Sequence, residues 1–351
     1  MNKQKIKEQI YHLPPFIVVW IKFCYRKFVF VYLFGSNKEY RSDILRSIKL
    51  RERKICFGRE NKDKYFYVIR RASKYSEGHF SMLNFFLGHL KIAEERGLVP
   101  VIDMKNYYNN LWQAESNRCK ENAWEYFYKQ PASYSLDDIR SSRNIILCDG
   151  IKDLILPSHK FSYQKDEIHL WNKIYIKYIL LNDNSNRYLT QTLHKLKIEE
   201  RRVLAVSLRR GIEWGQILNY KYFAGYSKHP FIDETILKVE ECMNDWNCDY
   251  VFLSIDDQEG LEEFKNVFKE KLLYIERDRW AYFKDSIAIP VEEIRKNATQ
   301  KNDVEIYENE LGFLTEVHIL SKCNCIVCSK TSANASAFLI NGNRYEHTYI
   351  F

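Results

Sequence analysis

Short apolar runs alternate with helix-like segments along this chain, and this alternation restricts the possible folds more than any other feature. The apolar runs and helical patterns of the later part are 203–207, 233–246, 250–254, 261–269, 272–275, 310–320, 325–328 and 332–341. An earlier unit has the same form, with a strand at 64–70, a helix at 80–96 and a strand at 98–103. Alternation of this kind predicts parallel sheets covered by helices on both faces. The predicted fold class is therefore α/β.

The length favours two domains, because 351 residues exceed what one hydrophobic core usually supports. A polar stretch at 182–200 separates the two sets of strands and is the predicted boundary region. We therefore expect a Rossmann-like domain at 41–190, a second one at 191–351, and a cleft between them.

The charge balance points to anionic partners. The net charge is +8, from 54 basic and 46 acidic residues, and much of the surplus precedes residue 75. Anionic lipid head groups and a pyrophosphate-bearing substrate both fit this surplus. Nucleic acid is disfavoured, because no tract interleaves aromatic and basic residues as a strand-binding groove does.

The nine cysteines follow no disulfide framework, which predicts reduced thiols in an intracellular protein. Cys323, Cys325 and Cys328, with His318, suggest a metal site. However, they lack the paired C-x-x-C halves of structural zinc sites and lie in an apolar strand pattern. Buried core thiols and no metal are the favoured interpretation.

Residues 1–40 form a basic, apolar segment whose core, residues 16–34, is interrupted by Lys22, Arg26 and Lys27. A transmembrane span needs about 20 largely uncharged residues, and a signal peptide needs a small-residue cleavage site. A helix at the surface of an anionic membrane is the favoured interpretation. A helix that packs on the fold and a true span are the alternatives.

In open α/β sheets, ligands bind beyond the carboxyl ends of the strands. The run 203–207 leads into Arg209 and Arg210, followed by a glycine. Two guanidinium groups offer paired donors to a pyrophosphate. A solvated basic turn is the alternative.

Two further strand ends carry polar groups. The run 250–254 leads to Asp256, which is suited to a ribose hydroxyl, and to Asp257, for which helix capping is the alternative. The turn after 325–328 contains Ser329, Thr331 and Ser332, a phosphate seat at a helix start. Glu316 is suited to a purine edge, or else lies on the exposed face of its helix.

The turn before the helix at 80–96 is expected to face the cleft with Gly78, Ser81 and Asn84. Glu77 and His79 are the acid or base candidates of this turn. For a histidine at a helix start, a capping or surface role is the alternative.

Three of these blocks resemble the fucosyltransferase-like glycosyltransferases of the GT-B fold. This group includes α1,6-fucosyltransferases, rhizobial nodulation fucosyltransferases and protein O-fucosyltransferases. Residues 205–211 (AVSLRRG) resemble the H-V-R-R turn, 251–257 (VFLSIDD) resemble F-L-A-T-D-D, and 316–328 (EVHILSKCNCIVC) resemble D-I-x-x-L-S-x-A-D-x-x-V-C. The turn at 78–84 is similar to the glycine turn of the family.

The resemblance implies an inverting, metal-independent transferase without a cofactor, which moves a sugar, fucose by analogy, from a GDP-sugar. It implies an acceptor domain at 41–190 and a donor domain at 191–351. Arg209 and Arg210 would hold the diphosphate with Ser329, Thr331 and Ser332. Glu213 joins Glu77 and His79 as a candidate base, and Arg210 is the central catalytic residue.

The expected acceptor is a glycan or lipid-linked glycan of a bacterial capsule or lipopolysaccharide, made in the cytoplasm on the inner face of the plasma membrane. Ser207 and Glu316 depart from the histidine and aspartate of the family. Two rival interpretations therefore remain: transfer of a different sugar, and a non-catalytic nucleotide-binding subunit.

Overall fold

The structure, a computed structural model, describes nine parts of the chain. They are residues 52–71, 78–106, 109, 111, 120–151, 154–157, 163–209, 230–279 and 303–351. The segment at 1–40 and the candidates Glu77, Arg210 and Glu213 lie outside them. In the described ranges, no helix combines the length and apolarity that a membrane crossing requires.

The first half of the described chain contains a four-stranded sheet and three long helices. Its elements are β1 (Glu52–Ile55), β2 (Phe66–Ile69), α1 (His79–Glu95), β3 (Val99–Ile102), β4 (Ile145–Cys148), α2 (Lys165–Tyr178) and α3 (Asp183–Leu196). The strand order is β1-β4-β2-β3. Strands β2 and β3 are parallel as predicted, and β4, which the sequence analysis did not identify, is parallel to β2. Strand β1 pairs with β4 in the antiparallel direction.

The second half contains a five-stranded sheet that is parallel throughout. Its elements are β5 (Val203–Leu208), α4 (Ile232–Asp245), β6 (Tyr250–Ile255), α5 (Gln258–Phe268), β7 (Leu272–Leu273), α6 (Asp303–Leu320), β8 (Cys325–Cys328), α7 (Ser332–Asn341) and β9 (His347–Ile350). The strand order is β7-β6-β5-β8-β9. The predicted α/β class is confirmed by these two helix-covered sheets.

Helices from both halves form one continuous apolar core. α1 packs on β2 and β3, α6 packs on β5 and β6, and α2 and α3 cross from the first half to contact α7 and α6. The amide of Asn172 in α2 donates to the Leu339 carbonyl in α7 over 2.6 Å. The same cluster of buried side chains includes Phe86 of α1 and Phe338 of α7.

Most of the predicted boundary region at 182–200 is helix α3, which spans Asp183–Leu196. Asn182 caps α3 by accepting a hydrogen bond from the Ser185 N–H over 2.8 Å, which explains why this polar stretch is helical. The two sheets are separate, and the division into domains at 190 stays a prediction.

Candidate active site

Three predicted site residues lie at the same edge of the second sheet. β5 is paired in parallel with β6 and with β8, and Ser207 lies opposite Ser254 on one side and Cys328 on the other. Arg209, Asp256 and Ser329 are the residues that come next after the three strands, so they lie at neighbouring strand ends. This arrangement is where open α/β sheets bind ligands.

The first turn of α7 has backbone N–H groups at this edge that no carbonyl of the same helix can accept from. Thr331 is the capping residue, and its hydroxyl accepts from the Asn334 N–H over 3.1 Å. The N–H groups of Ser332 and Ala333 therefore point out of the helix end. The first turn contains no acidic residue that would balance the positive end of the helix dipole.

The first turn of α1 meets the first turn of α7. Gly78 precedes α1 without a side-chain cap, and the first turn again contains no acidic residue. The Ser81 hydroxyl donates to the Ser332 hydroxyl over 3.2 Å. The N-termini of two helices, one from each half, thus meet at one point of the strand edge.

The buried polar groups near this point that have no hydrogen-bond partner among the described residues include the Ser329 hydroxyl and the side-chain oxygen of Asn334. They also include the side-chain oxygen of Asn84, which lies one helical turn after Ser81. Buried polar groups are almost always satisfied in folded proteins, so an unpaired one here suits a ligand or ordered water. Asn334, which the sequence analysis missed, holds the Ser329 carbonyl through a 2.8 Å bond.

The structure contradicts the predicted contact of Glu316 with a purine base. The Glu316 side chain is 0% exposed, and its carboxylate accepts two bonds from Arg277, over 2.9 and 3.0 Å. It also accepts from Arg279 over 3.2 Å and from the Ser254 hydroxyl over 2.7 Å. The carboxylate is therefore engaged within the protein.

Arg277 and Arg279 connect the segment after β7 to β6 through hydrogen bonds. Arg277 and Arg279 both donate to the Ile255 carbonyl, over 3.0 and 3.2 Å. Burial opposes the charge of Arg277, but the carboxylate of Glu316 outweighs it and raises the pKa of that arginine. Burial lowers the pKa of Arg279. The two arginines and the Glu316 carboxylate together have a net positive charge, counted without the other charged residues nearby.

The prediction of His79 as acid or base is wrong, because its side chain lies in the core. Its Nε2 is 2.7 Å from the Tyr128 hydroxyl, and its ring stacks on Phe80 at 5.2 Å. Its Nδ1 lies 3.5 Å from the Glu310 carboxylate. With the side chain 2% exposed, the imidazole does not reach an acceptor in the cleft.

Asp257 takes the capping role and leaves Asp256 as the ligand candidate of this strand end. The Asp257 carboxylate accepts from the Gly260 N–H over 2.7 Å at the start of α5. Asp256 is half-buried at the end of β6.

The cysteines of β8 are buried core thiols, as predicted. Cys325 packs in the cluster on one face of the second sheet and Cys328 in the cluster on the other face. The Cys323 thiol donates to the Ile319 carbonyl over 3.3 Å. Burial raises the pKa of Cys323 and Cys328, which keeps these thiols protonated.

Comparison with solved structures finds fucosyltransferases. The chain is similar to the fucosyltransferase NodZ from Bradyrhizobium, with 12% identity, a TM-score of 0.42, and coverage of 75% of this chain and 88% of that chain. It is also similar to POFUT1 in complex with GDP, with 10% identity, a TM-score of 0.47, and coverage of 83% of this chain and 99% of that chain. By sequence, the chain matches no family model and no curated protein. The solved structures that the chain is similar to are thus fucosyltransferases, the group that the three sequence blocks resemble.

Proposed function

We propose that the chain is a glycosyltransferase whose nucleotide-sugar donor places its diphosphate where the first turns of α1 and α7 meet. The observation that carries the proposal is the 3.2 Å contact between Ser81 and Ser332, which brings together two helix N-termini without an acidic residue in either first turn. Helix N-termini attract anions through their open N–H groups and the helix dipole. The Ser329 hydroxyl at the adjacent strand end adds a donor.

The reaction that suits this seat is a single displacement with inversion and without a metal. The acceptor hydroxyl oxygen forms a bond to the anomeric carbon, and the bond from that carbon to the diphosphate oxygen breaks. The electron pair stays on the diphosphate, where Arg209 and Arg210 balance the charge that develops. The hydroxyl proton passes to a base, for which Glu213 and Glu77 are the candidates.

The donor we propose is a GDP-sugar, with fucose as the sugar. The sequence resemblance supports this donor, and NodZ was studied with GDP-fucose. The proposed acceptor is a glycan or lipid-linked glycan of a bacterial capsule or lipopolysaccharide, made at the inner face of the plasma membrane.

A second candidate is transfer from another nucleotide sugar. The specific observation in its favour is the engagement of Glu316 by Arg277 and Arg279, which occupies the carboxylate expected to read guanine. With this carboxylate engaged, the donor base must be measured.

A thermal-shift screen with GDP, UDP, CMP and dTDP tests the proposal. We expect GDP to stabilise the protein by about 2.7 kcal/mol at 100 times its dissociation constant. Stabilisation by UDP or dTDP alone would establish the second candidate. The absence of a shift with all four nucleotides would reject a nucleotide-sugar transferase.

The variant Ser332→Asp locates the seat. A carboxylate in the first turn of α7 repels the diphosphate, so nucleotide binding should weaken at least about tenfold. The same charge should leave the fold intact or stabilise it by about 0.3–1 kcal/mol, because it complements the helix dipole. Ser332→Ala is the control for loss of the hydroxyl. Unchanged nucleotide binding in Ser332→Asp would place the diphosphate elsewhere.

Deletion of residues 1–35 tests the proposed membrane association. The shortened protein should move from the membrane pellet to the supernatant and keep its activity on a soluble acceptor. A full-length protein that stays wholly in the supernatant at low salt would contradict the association.

A further inference from the structure

Tyr163 makes an unusual contact with the residue that caps α7. It lies in the first half, just before α2, while Thr331 lies in the second half. The Thr331 N–H donates to the Tyr163 hydroxyl over 3.2 Å, and that hydroxyl donates to the Thr331 carbonyl over 3.3 Å. One phenol therefore binds both backbone groups of a single residue.

This contact fixes the residue on which the first turn of α7 depends. The Thr331 carbonyl also accepts from the Ala335 N–H over 2.9 Å, the first hydrogen bond of the helix. The Thr331 side chain caps the Asn334 N–H. Rotation of Thr331 would therefore redirect the N–H groups of Ser332 and Ala333, which form part of the proposed diphosphate seat.

The hydroxyl keeps both bonds across the neutral range. Burial raises the pKa of Tyr163 well above its usual range, so the phenol stays protonated and remains a donor. Its ring packs edge-on against Phe338 of α7 at 4.9 Å, which holds the hydroxyl in place.

We propose that Tyr163 is a positioning residue for the donor: from the first half, it holds the α7 side of the proposed diphosphate seat in its binding geometry. This inference rests on the proposed function. Preorganised donors bind a developing charge more strongly than donors that must first be oriented. The cost of losing the hydroxyl should therefore fall on donor binding more than on the acceptor.

The chain provides a matched control in Tyr345. Its ring also packs on Phe338, at 5.0 Å, and it is in the same apolar cluster. Its hydroxyl donates to the Leu320 carbonyl over 3.0 Å, away from the cap of α7. Tyr163→Phe and Tyr345→Phe thus remove the same atom from the same kind of surroundings.

The test compares both variants with the wild-type protein by calorimetric titration with GDP and with inorganic pyrophosphate, by steady-state kinetics and by thermal melting. We expect Tyr163→Phe to weaken binding of both ligands about tenfold, because Thr331 and the N–H groups of Ser332 and Ala333 are then no longer held in the binding geometry. The donor KM should rise while the acceptor KM stays unchanged. Tyr345→Phe should bind both ligands like the wild type, although both variants lose some melting temperature.

Equal binding by Tyr163→Phe and wild-type protein would overturn the inference and leave the proposed function intact. Equal weakening in the two variants would also overturn it, because the effect would then follow general loss of stability. If the wild-type protein binds neither GDP nor pyrophosphate, while other nucleotides fail in the thermal-shift screen, the proposed function fails and the inference falls with it.

Discussion

Arg209 follows β5 directly, at the strand edge where the first turns of α1 and α7 meet, and Arg210 is the next residue in the chain. We predict that Arg210→Ala lowers the turnover rate about a hundred- to a thousandfold, because a preorganised donor to the leaving group is lost. Arg210→Lys should recover little, since an ammonium group lacks the planar pair of donors. Arg209 should behave in the same way with a smaller effect.

The measurement is turnover with the donor found in the nucleotide screen, together with the melting temperature of each variant. Arg140, an exposed partner of Asp137, is the control position, and Arg140→Ala should change neither quantity. Full activity in Arg210→Ala would refute the phosphate role. A large fall in melting temperature would make the arginine structural.

At single residues, the sequence predicted position better than role. Thr331 and Ser332 were expected at a helix start and are found there, because capping is a local property. The environments of His79 and Glu316 were not predictable in this way. Tyr128 and Arg277, which bind them, are 49 and 39 residues away in sequence, and only the packing of helices brings them together.

Glu316 connects α6 to the segment after β7, and the contribution of this connection to the free energy of unfolding can be measured. Glu316→Ala leaves two buried arginines without their carboxylate, which should destabilise the fold by about 3–5 kcal/mol. Glu262→Ala removes a carboxylate from an exposed pair with Lys265 and should have little effect. Urea denaturation of both variants is the measurement. Similar midpoints would show that the arginine cluster contributes little to stability.

The elements that the sequence predicted are those with a strong apolar pattern. The buried strands β5, β6 and β8 and helix α7 lie within one residue of the predicted bounds. Strands β1, β4 and β9 were missed; at least half of the side chains of each are exposed or half-buried, which weakens the apolar signal. Helix α3 was taken for a polar connection, since its apolar face is narrow and few of its residues are buried.

At the scale of the whole molecule, the two halves share one core. Helix α2 belongs to the first half in sequence but packs on α7, and α3 packs on α6. Apolar packing therefore fixes the relative position of the helix ends that form the proposed seat, in addition to the contact of Ser81 with Ser332. The sequence predicted two Rossmann-like sets of elements, but not this shared core, because helix patterns do not identify the helix that packs against them.

The buried histidine His318 should make the stability of this shared core depend on pH. It lies on α6, with its Nε2 3.3 Å from the Tyr175 hydroxyl of α2. Burial, with smaller contributions from His79 and Lys322, lowers the pKa of His318 to about 4. An unfolded histidine has a pKa of about 6.5. Between these values the unfolded chain binds a proton that the folded chain does not.

We therefore predict that stability is complete above about pH 6.5 and falls as the pH is lowered towards about 4. His318 should contribute up to about 1.4 kcal/mol for each pH unit in this window. His89, whose pKa burial also lowers to about 4, should contribute in the same direction from the core of the first half.

In His318→Gln the decline should be about half as steep, because the glutamine does not titrate. Urea denaturation at intervals from pH 7.5 to 5 measures the slope, with His347→Gln, an exposed position in β9, as the control. Parallel curves for His318→Gln and the wild-type protein would mean that the contact between α6 and α2 accommodates a charged imidazole.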